Sequence, residues 1–396
     1  MPRSLPVETV EEIISYLGPA ELAQCCLVSR PFDAVARPLL WREIPIELVL
    51  DDRQMMAVAS YQYSRMTWGI LDALQQDEGL QGFPERAVFM EADEGGTKVL
   101  TTVDFALRSV AQLCPRLAAF SATHGDEAVF SDLVLRDVLE GRDVRSVDLG
   151  GLSERSWRAI KKLQPTLQDL AFSSPCKDDN ADNLMRLSAM SPFTSLRLRS
   201  LLITHFSPYA TDDPRSARKI FDRLTESSAA TLRTLTIPFD LSITPSLHTF
   251  SALQHLTVTL PDDNTLPGRL DDLPIAVASA QTLRSLRIRV EYGARLSTKG
   301  VTALCKPTHE GLAQKLPASL QLFEIPVGPL PINLIILVTA IKAPKLHTLV
   351  FTRVQETLLG AMESFGGELA FSGFGELEEL CRQRGINLVS GPGRGE

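Results

Sequence analysis

Residues 232–258 read LRTLTIPFDLSITPSLHTFSALQHLTV and contain one phrase twice: Leu232/Leu235/Ile237, then Leu253/Leu256/Val258. The order apolar-x-x-apolar-x-apolar ends in strict alternation, which is the pattern of a strand with one buried face. Reading outward on the N-terminal side, the phrase recurs at Leu117/Phe120/Ala122, Val144/Val147/Leu149, Leu167/Leu170/Phe172 and Leu198/Leu201/Ile203. On the C-terminal side it recurs at Leu283/Leu286/Ile288, Leu320/Phe323/Ile325 and Leu346/Leu349/Phe351. The nine copies start between 21 and 37 residues apart, with a mean of about 29, the spacing of stacked repeat architectures. A nucleotide-binding doubly wound sheet also alternates strands with helices, but it does not put one leucine phrase at the start of every strand.

The segments between copies read as helices: Ser153–Lys162, Asn180–Met190, Ser216–Glu226 and Ile332–Ile341. One strand plus one helix cannot bury its apolar side alone, so the units must stack. A weaker copy precedes the nine at Ala87–Met90. Glu376–Gly385 reads as a closing helix, Ile386–Val389 as a last strand, and residues 390–396 as a flexible tail. The chain resembles the leucine-rich-repeat family in this phrase. That resemblance implies an α/β solenoid with a parallel concave sheet and convex helices. The family phrase continues to an Asn or Cys that fixes the following loop; here those places hold Leu152, Pro175, Phe206, Asp240, Pro261, Glu291 and Val354. The spacing and this departure predict an irregular solenoid.

Residues between the buried ones face the concave side. They are mostly Ser and Thr, such as Thr234, Thr236 and Thr257, with a basic spot at Arg287 and Arg289. Those arginines lie two apart on one strand and suit an acidic or phosphorylated segment. With His255 and Glu324 they form the candidate target-binding set.

A second informative stretch, residues 5–44, reads LPVETVEEIISYLGPAELAQCCLVSRPFDAVARPLLWREI. Pro6 opens a helix on which Val7, Val10, Ile14 and Leu17 share one stripe and Ile13 widens it. Gly18-Pro19 stops that helix and starts another, Ser29 stands at a cap position for a third, and Pro38 is expected to end it. A unit of about 40 residues is at the limit of independent folding, and its surplus of apolar side chains points to a partner.

Leu5-Pro6, Glu8, Ile13, Leu17, Pro19 with Leu22, Val28-Ser29-Arg30, Phe32 and Leu40-Trp41 resemble the F-box as it occurs in fungal F-box proteins. F-boxes bind the Skp-type adaptor of a cullin–RING ubiquitin ligase. The resemblance implies that Leu5, Pro6, Ile13, Leu17, Leu22, Val28 and Trp41 lie at or beside that interface. It implies a cullin reached through the adaptor, and a protein target.

Composition narrows the alternatives. Net charge is −8 over 396 residues, against nucleic acid as the main partner. The longest apolar run, Ile332–Ile341, is too short to cross a bilayer, and the first residues hold no apolar signal core. The six cysteines form no CxxC pair and read as thiols of a reducing compartment, hence cytoplasm or nucleus. The six histidines are dispersed, and Pro307 separates the one i, i+4 pair, Cys305 and His309. No phosphate loop, nucleophile elbow or HExxH is present. The expectation is a non-catalytic receptor that uses no cofactor or metal: F-box at 1–44, connector with a first weak repeat at 45–115, repeats at 116–389. Within the connector, Asp51–Gln76 reads as one long helix whose methionines, Trp68, Ile70 and Leu71 serve as core. A leucine-rich scaffold without a ligase role is the competing reading.

Overall fold

The computed structural model describes residues 6–50, 61–92, 96–122, 134–135, 138, 142–151, 154–163, 166–174, 189–203, 214–238, 244–260, 277–290, 308–327, 338–353 and 374–392. The chain divides into two compact units, Met1–Ala171 and Phe172–Glu396.

The first unit opens with three helices, α1 (Val7–Ile14), α2 (Pro19–Val28) and α3 (Arg30–Leu40). Gly18 is the N-cap of α2 and Pro19 its first residue. Ser29 occupies the N-cap of α3 without a side-chain cap bond. Pro38 does not end α3: it sits inside the last turn and the helix runs on to Leu40. A proline this near the end forfeits one ladder bond where few remain to be made.

A strand follows at once. β1 (Glu43–Leu50) pairs in parallel with β3 (Arg86–Glu91), and β3 with β5 (Ala119–Ala122), which pairs with β6 (Ser146–Gly151). On its other side β1 pairs antiparallel with β2 (Tyr61–Ser64), and β2 with β4 (Gly96–Thr101). The long connector helix is therefore corrected. Of Asp51–Gln76, Tyr61–Ser64 is a strand and only Arg65–Gln76 is helical (α4); Met55, Met56 and Val58 lie outside the described residues. Ser64 ends the strand and caps the helix by accepting from the Thr67 N–H at 3.1 Å. The Thr67 hydroxyl pins the helix to β1, accepting from the Glu47 N–H at 2.7 Å and donating to its carbonyl at 3.2 Å. The buried face of α4 is Thr67, Leu71 and Leu74, while Met66 and Trp68 are exposed rather than core. Helix α5 (Glu78–Gln81) leads into β3. Helices α6 (Val103–Leu113) and α7 (Glu154–Leu163) bury Leu107, Val110, Trp157 and Ile160, and the strands bury Ile44, Ile46, Phe89, Phe120 and Val147.

One carbonyl at each strand entry accepts two N–H groups from the next strand. Arg42 accepts from Glu85 and Arg86, Glu85 from Ala118 and Ala119, Ala118 from Arg145 and Ser146, and Arg145 from Gln168 and Asp169. The strand phrase thus begins at Trp41/Ile44/Ile46, before the copies read in sequence. The last of these strands, β7 (Asp169–Ser174), spans the unit boundary.

The second unit places β8 (Ser200–Ile203), β9 (Thr234–Pro238), β10 (His255–Leu260), β11 (Ser285–Val290), β12 (Leu322–Val327), β13 (Thr348–Arg353) and β14 (Asn387–Pro392) in order, each parallel to the next. The register stacks Leu201, Leu235, Leu256, Leu286, Phe323 and Leu349 in one row, all of them buried. Ile237, Val258 and Ile288 form a second buried row. All nine phrases coincide with strands, and the weaker copy is β3. Helices α8 (Pro214–Thr225) and α9 (Thr308–Lys315) contribute Ile220, Phe221, Leu224 and Leu312. The expected helix at Asn180–Met190 lies almost wholly outside the described residues, and of Ile332–Ile341 only 338–341 are described, with 338–340 helical.

The Asn or Cys missing from the phrase has a substitute. A hydroxyl just before the leucine donates to the carbonyl that opens the preceding copy: Thr166 to Val144 at 3.0 Å, Thr231 to Leu198 at 2.8 Å, Thr282 to Leu253 at 2.7 Å, and Ser319 to Leu283 at 2.6 Å. Helix α10 (Phe374–Gln383) ends at Gly385, whose φ of +68° lets the Ile386 N–H reach the Cys381 carbonyl at 2.8 Å and its own N–H reach Arg382 at 3.0 Å. The expected tail is also corrected, because β14 runs through Ser390 and Gly391 to Pro392, paired with β13.

Candidate functional site

The three N-terminal helices enclose a core of Ile14, Leu22 and Ala36, with Val10, Leu17, Phe32, Val35, Leu39 and Leu40 partly buried against it. So small a core cannot accommodate every apolar side chain its helices carry. Exposed are Ile13 at 51%, Tyr16 at 81%, Leu27 at 87% and Val28 at 67%. Ile13 lies in the last turn of α1 and Tyr16 in the turn that follows it, while Leu27 and Val28 are consecutive at the end of α2.

Of the residues expected at the adaptor, Pro6, Ile13 and Val28 are exposed, Leu17 and Trp41 are half-buried, and Leu5 lies outside the described residues. Leu22 is corrected: it packs inside the core, so it supports the surface instead of forming it. Sequence reading missed Tyr16 and Leu27. Their signal was present, because α2 carries Leu22, Cys25, Cys26, Leu27 and Val28, more apolar residues than one helix face holds.

On α3, Arg37 grips Asp33 with two bonds, Nε to Oδ1 at 3.0 Å and a terminal nitrogen to Oδ2 at 2.9 Å. This holds the Asp33 carboxyl below the usual carboxylate range. Burial, and then a hydrogen bond to Asp33, push the neighbouring Cys26 thiol up, so it stays protonated. It therefore lacks the thiolate character of a nucleophile. Burial also pushes Cys114 up, to about 12.

In the second unit the structure does bring Arg287, Arg289, Glu324 and His255 together, on three adjacent strands. Their roles differ from the expectation. Glu324 is only 5% exposed. Its carboxylate is bound by Arg289 at 2.9 and 3.3 Å, and approached by Arg287 at 3.7 Å. It is therefore the internal counter-ion of the arginines, not a contact for a target. Arg289 is largely satisfied by it, while Arg287 keeps donors free towards solvent. Desolvation, with Arg287 and Arg284 nearby, lowers the pKa of the exposed His255, which is therefore neutral at neutral pH.

The face of the first unit is different. Ser121 on β5 stands opposite Asp148 on β6. Desolvation raises the Asp148 carboxyl to about 6, and Arg86 only partly opposes this. The Ser121 hydroxyl is buried without a partner.

Among the described residues no group of three or more His, Cys, Asp or Glu is placed to hold a metal ion, and no helix is long and apolar enough to cross a membrane. Cys25, Cys26, Cys114 and Cys381 are free thiols.

Residues 3–47 match the family model described as F-box-like. The match covers α1 to α3 and the first residues of β1, and it supports an F-box protein; F-box domains bind Skp-type adaptors. No curated protein matches the chain.

Proposed function

We propose that this chain is the substrate-recognition subunit of a Skp–cullin–F-box ubiquitin ligase. Its N-terminal helices hold the adaptor, and its strands and helices form an irregular leucine-rich-repeat solenoid that holds a target protein. The observation that carries the reading is the exposure of Ile13, Tyr16, Leu27 and Val28 within the F-box-like match. Burying each contributes roughly 1.5–3 kcal/mol before entropy and fit are counted. Among the described residues the repeats keep almost none of their apolar side chains for a partner, which leaves polar recognition to them. Catalysis in this reading is by proximity: a tethered target meets the charged ubiquitin carrier at high effective concentration, and the chain forms no covalent bond to ubiquitin. It works in the cytoplasm or nucleus, without cofactor, nucleic acid or membrane.

Reconstitution with purified adaptor, cullin and RING subunit tests this. Wild type recovers the cullin through the adaptor, and Ile13→Asp/Val28→Asp recovers neither. Failure of the wild-type chain to recover the cullin would defeat the ligase reading and leave the scaffold.

A further inference from the structure

The chain is acidic overall, yet the strands of its second unit are not. In the described segments 191–203, 229–238, 244–260, 277–290, 316–327 and 338–353, Glu324 is the one carboxylate, and it is occupied by Arg289 and Arg287. Lysines and arginines recur through the same segments. The ladder places several of them in line. The carbonyl of Arg199 accepts from Arg233, that of Arg233 from Gln254, that of Gln254 from Arg284, that of Arg284 from Gln321, and that of Gln321 from His347. All occupy the same place, the entry to their strands, and adjacent strands lie about 4.8 Å apart. Arg199, Arg233 and Arg284 are exposed, and Lys345 stands exposed two residues before His347. None of the three arginines has an acidic partner among the described residues.

We infer that this strand-entry rim, Arg199–Arg233–Arg284 with Lys345, is a docking edge for an acidic segment of a partner protein. Charge complementarity carries the choice of occupant. A row of unpaired guanidinium groups presents forked donors to carboxylates without first breaking an internal ion pair. A nucleic acid is disfavoured by the net charge of −8, which repels a long polyanion. A short acidic segment feels mainly charges within a Debye length, about 8 Å at physiological salt. The rim deepens the target-holding role proposed for the repeats and rests on it for biological meaning, though the binding itself does not depend on the adaptor.

The probe is a fluorescent oligo-glutamate peptide titrated into the full-length chain, with an oligo-glutamine peptide and a single-stranded oligonucleotide of equal charge as comparators. Wild type binds oligo-glutamate, more weakly as salt rises, and ignores oligo-glutamine. Arg199→Glu/Arg233→Glu/Arg284→Glu weakens binding about tenfold or more, and the milder Arg→Gln triple gives an intermediate loss. The denaturant-unfolding midpoint, measured on the same samples, stays at the wild-type value and reports an intact fold. Undetectable oligo-glutamate binding by wild type, equal binding by the triple variants, or tighter binding of the oligonucleotide would overturn the proposal. Loss of adaptor binding by the wild-type chain would instead strike the ligase reading alone.

Discussion

The N-terminal helices and the repeated strands of the second unit use apolar residues in opposite ways. The helices bury Ile14, Leu22 and Ala36 and leave Ile13, Tyr16, Leu27 and Val28 in water. The strands bury every leucine of the phrase from Leu201 to Leu349 and turn threonine, serine and arginine outward. Three short helices enclose too little volume for their apolar side chains, so the excess stays exposed. A strand stacked between two like strands has a place for each of its apolar residues, so its outer face is left to polar and charged groups. Apolar content alone therefore does not distinguish a core from an interface; the volume available to receive it does.

The sharpest way to break this contrast is to truncate one leucine of each kind. Leu235→Ala leaves a cavity inside the buried row and costs roughly 2–5 kcal/mol in denaturant unfolding. Leu27→Ala, at an exposed site, changes stability by less than about 0.5 kcal/mol. Equal losses would mean that Leu27 is core, and the contrast would fall.

The outward faces of the strands differ as well, and Asp148 sharpens that. Its carboxyl ionises near 4 unfolded and at about 6 folded, so the folded state binds the proton more tightly. The contribution is present below pH 4 and is lost as pH rises towards and past 6. Asp148→Asn removes that slope. Allowing for solvent screening of a part-exposed group, the variant gains about 1 kcal/mol over wild type at pH 7 relative to pH 4. Parallel pH profiles for the two proteins would contradict the desolvation of Asp148.

Two threonines give a finer comparison. Thr231 donates to the Leu198 carbonyl of the preceding copy, whereas Thr234 faces outward between buried neighbours. Thr231→Val costs about 1 kcal/mol, the net worth of one hydrogen bond and its orphaned carbonyl. Thr234→Ala costs less than about 0.5 kcal/mol. The reverse order in chemical denaturation would show that the hydroxyls do not join adjacent copies.

The strand phrase was legible because buried alternation leaves a strong period, and all nine copies are strands. Trp41/Ile44/Ile46 carries the same phrase and escaped notice, because Pro45 interrupts it and it follows directly on helical sequence. Tyr61–Ser64 is too short and too polar for periodicity to separate it from the helix after it. Parity correctly put Glu324 on the outer face, but it carries no information about neighbouring strands, so the two arginines that claim the carboxylate could not be foreseen. Leu22 shows the same limit in a helix: on α2 apolar residues surround much of the axis, and only packing decides which are internal.

The central claim is that the apolar residues left exposed by the small helical core exist to bind an adaptor. Calorimetric titration of purified Skp-type adaptor into the full-length chain tests it most directly, comparing wild type with Ile13→Asp/Val28→Asp at matched thermal stability. The account predicts binding by wild type with a negative heat-capacity change, as apolar burial requires, and at least about a hundredfold loss in the variant. Wild-type affinity in the variant, with an unchanged heat-capacity signature, would contradict it.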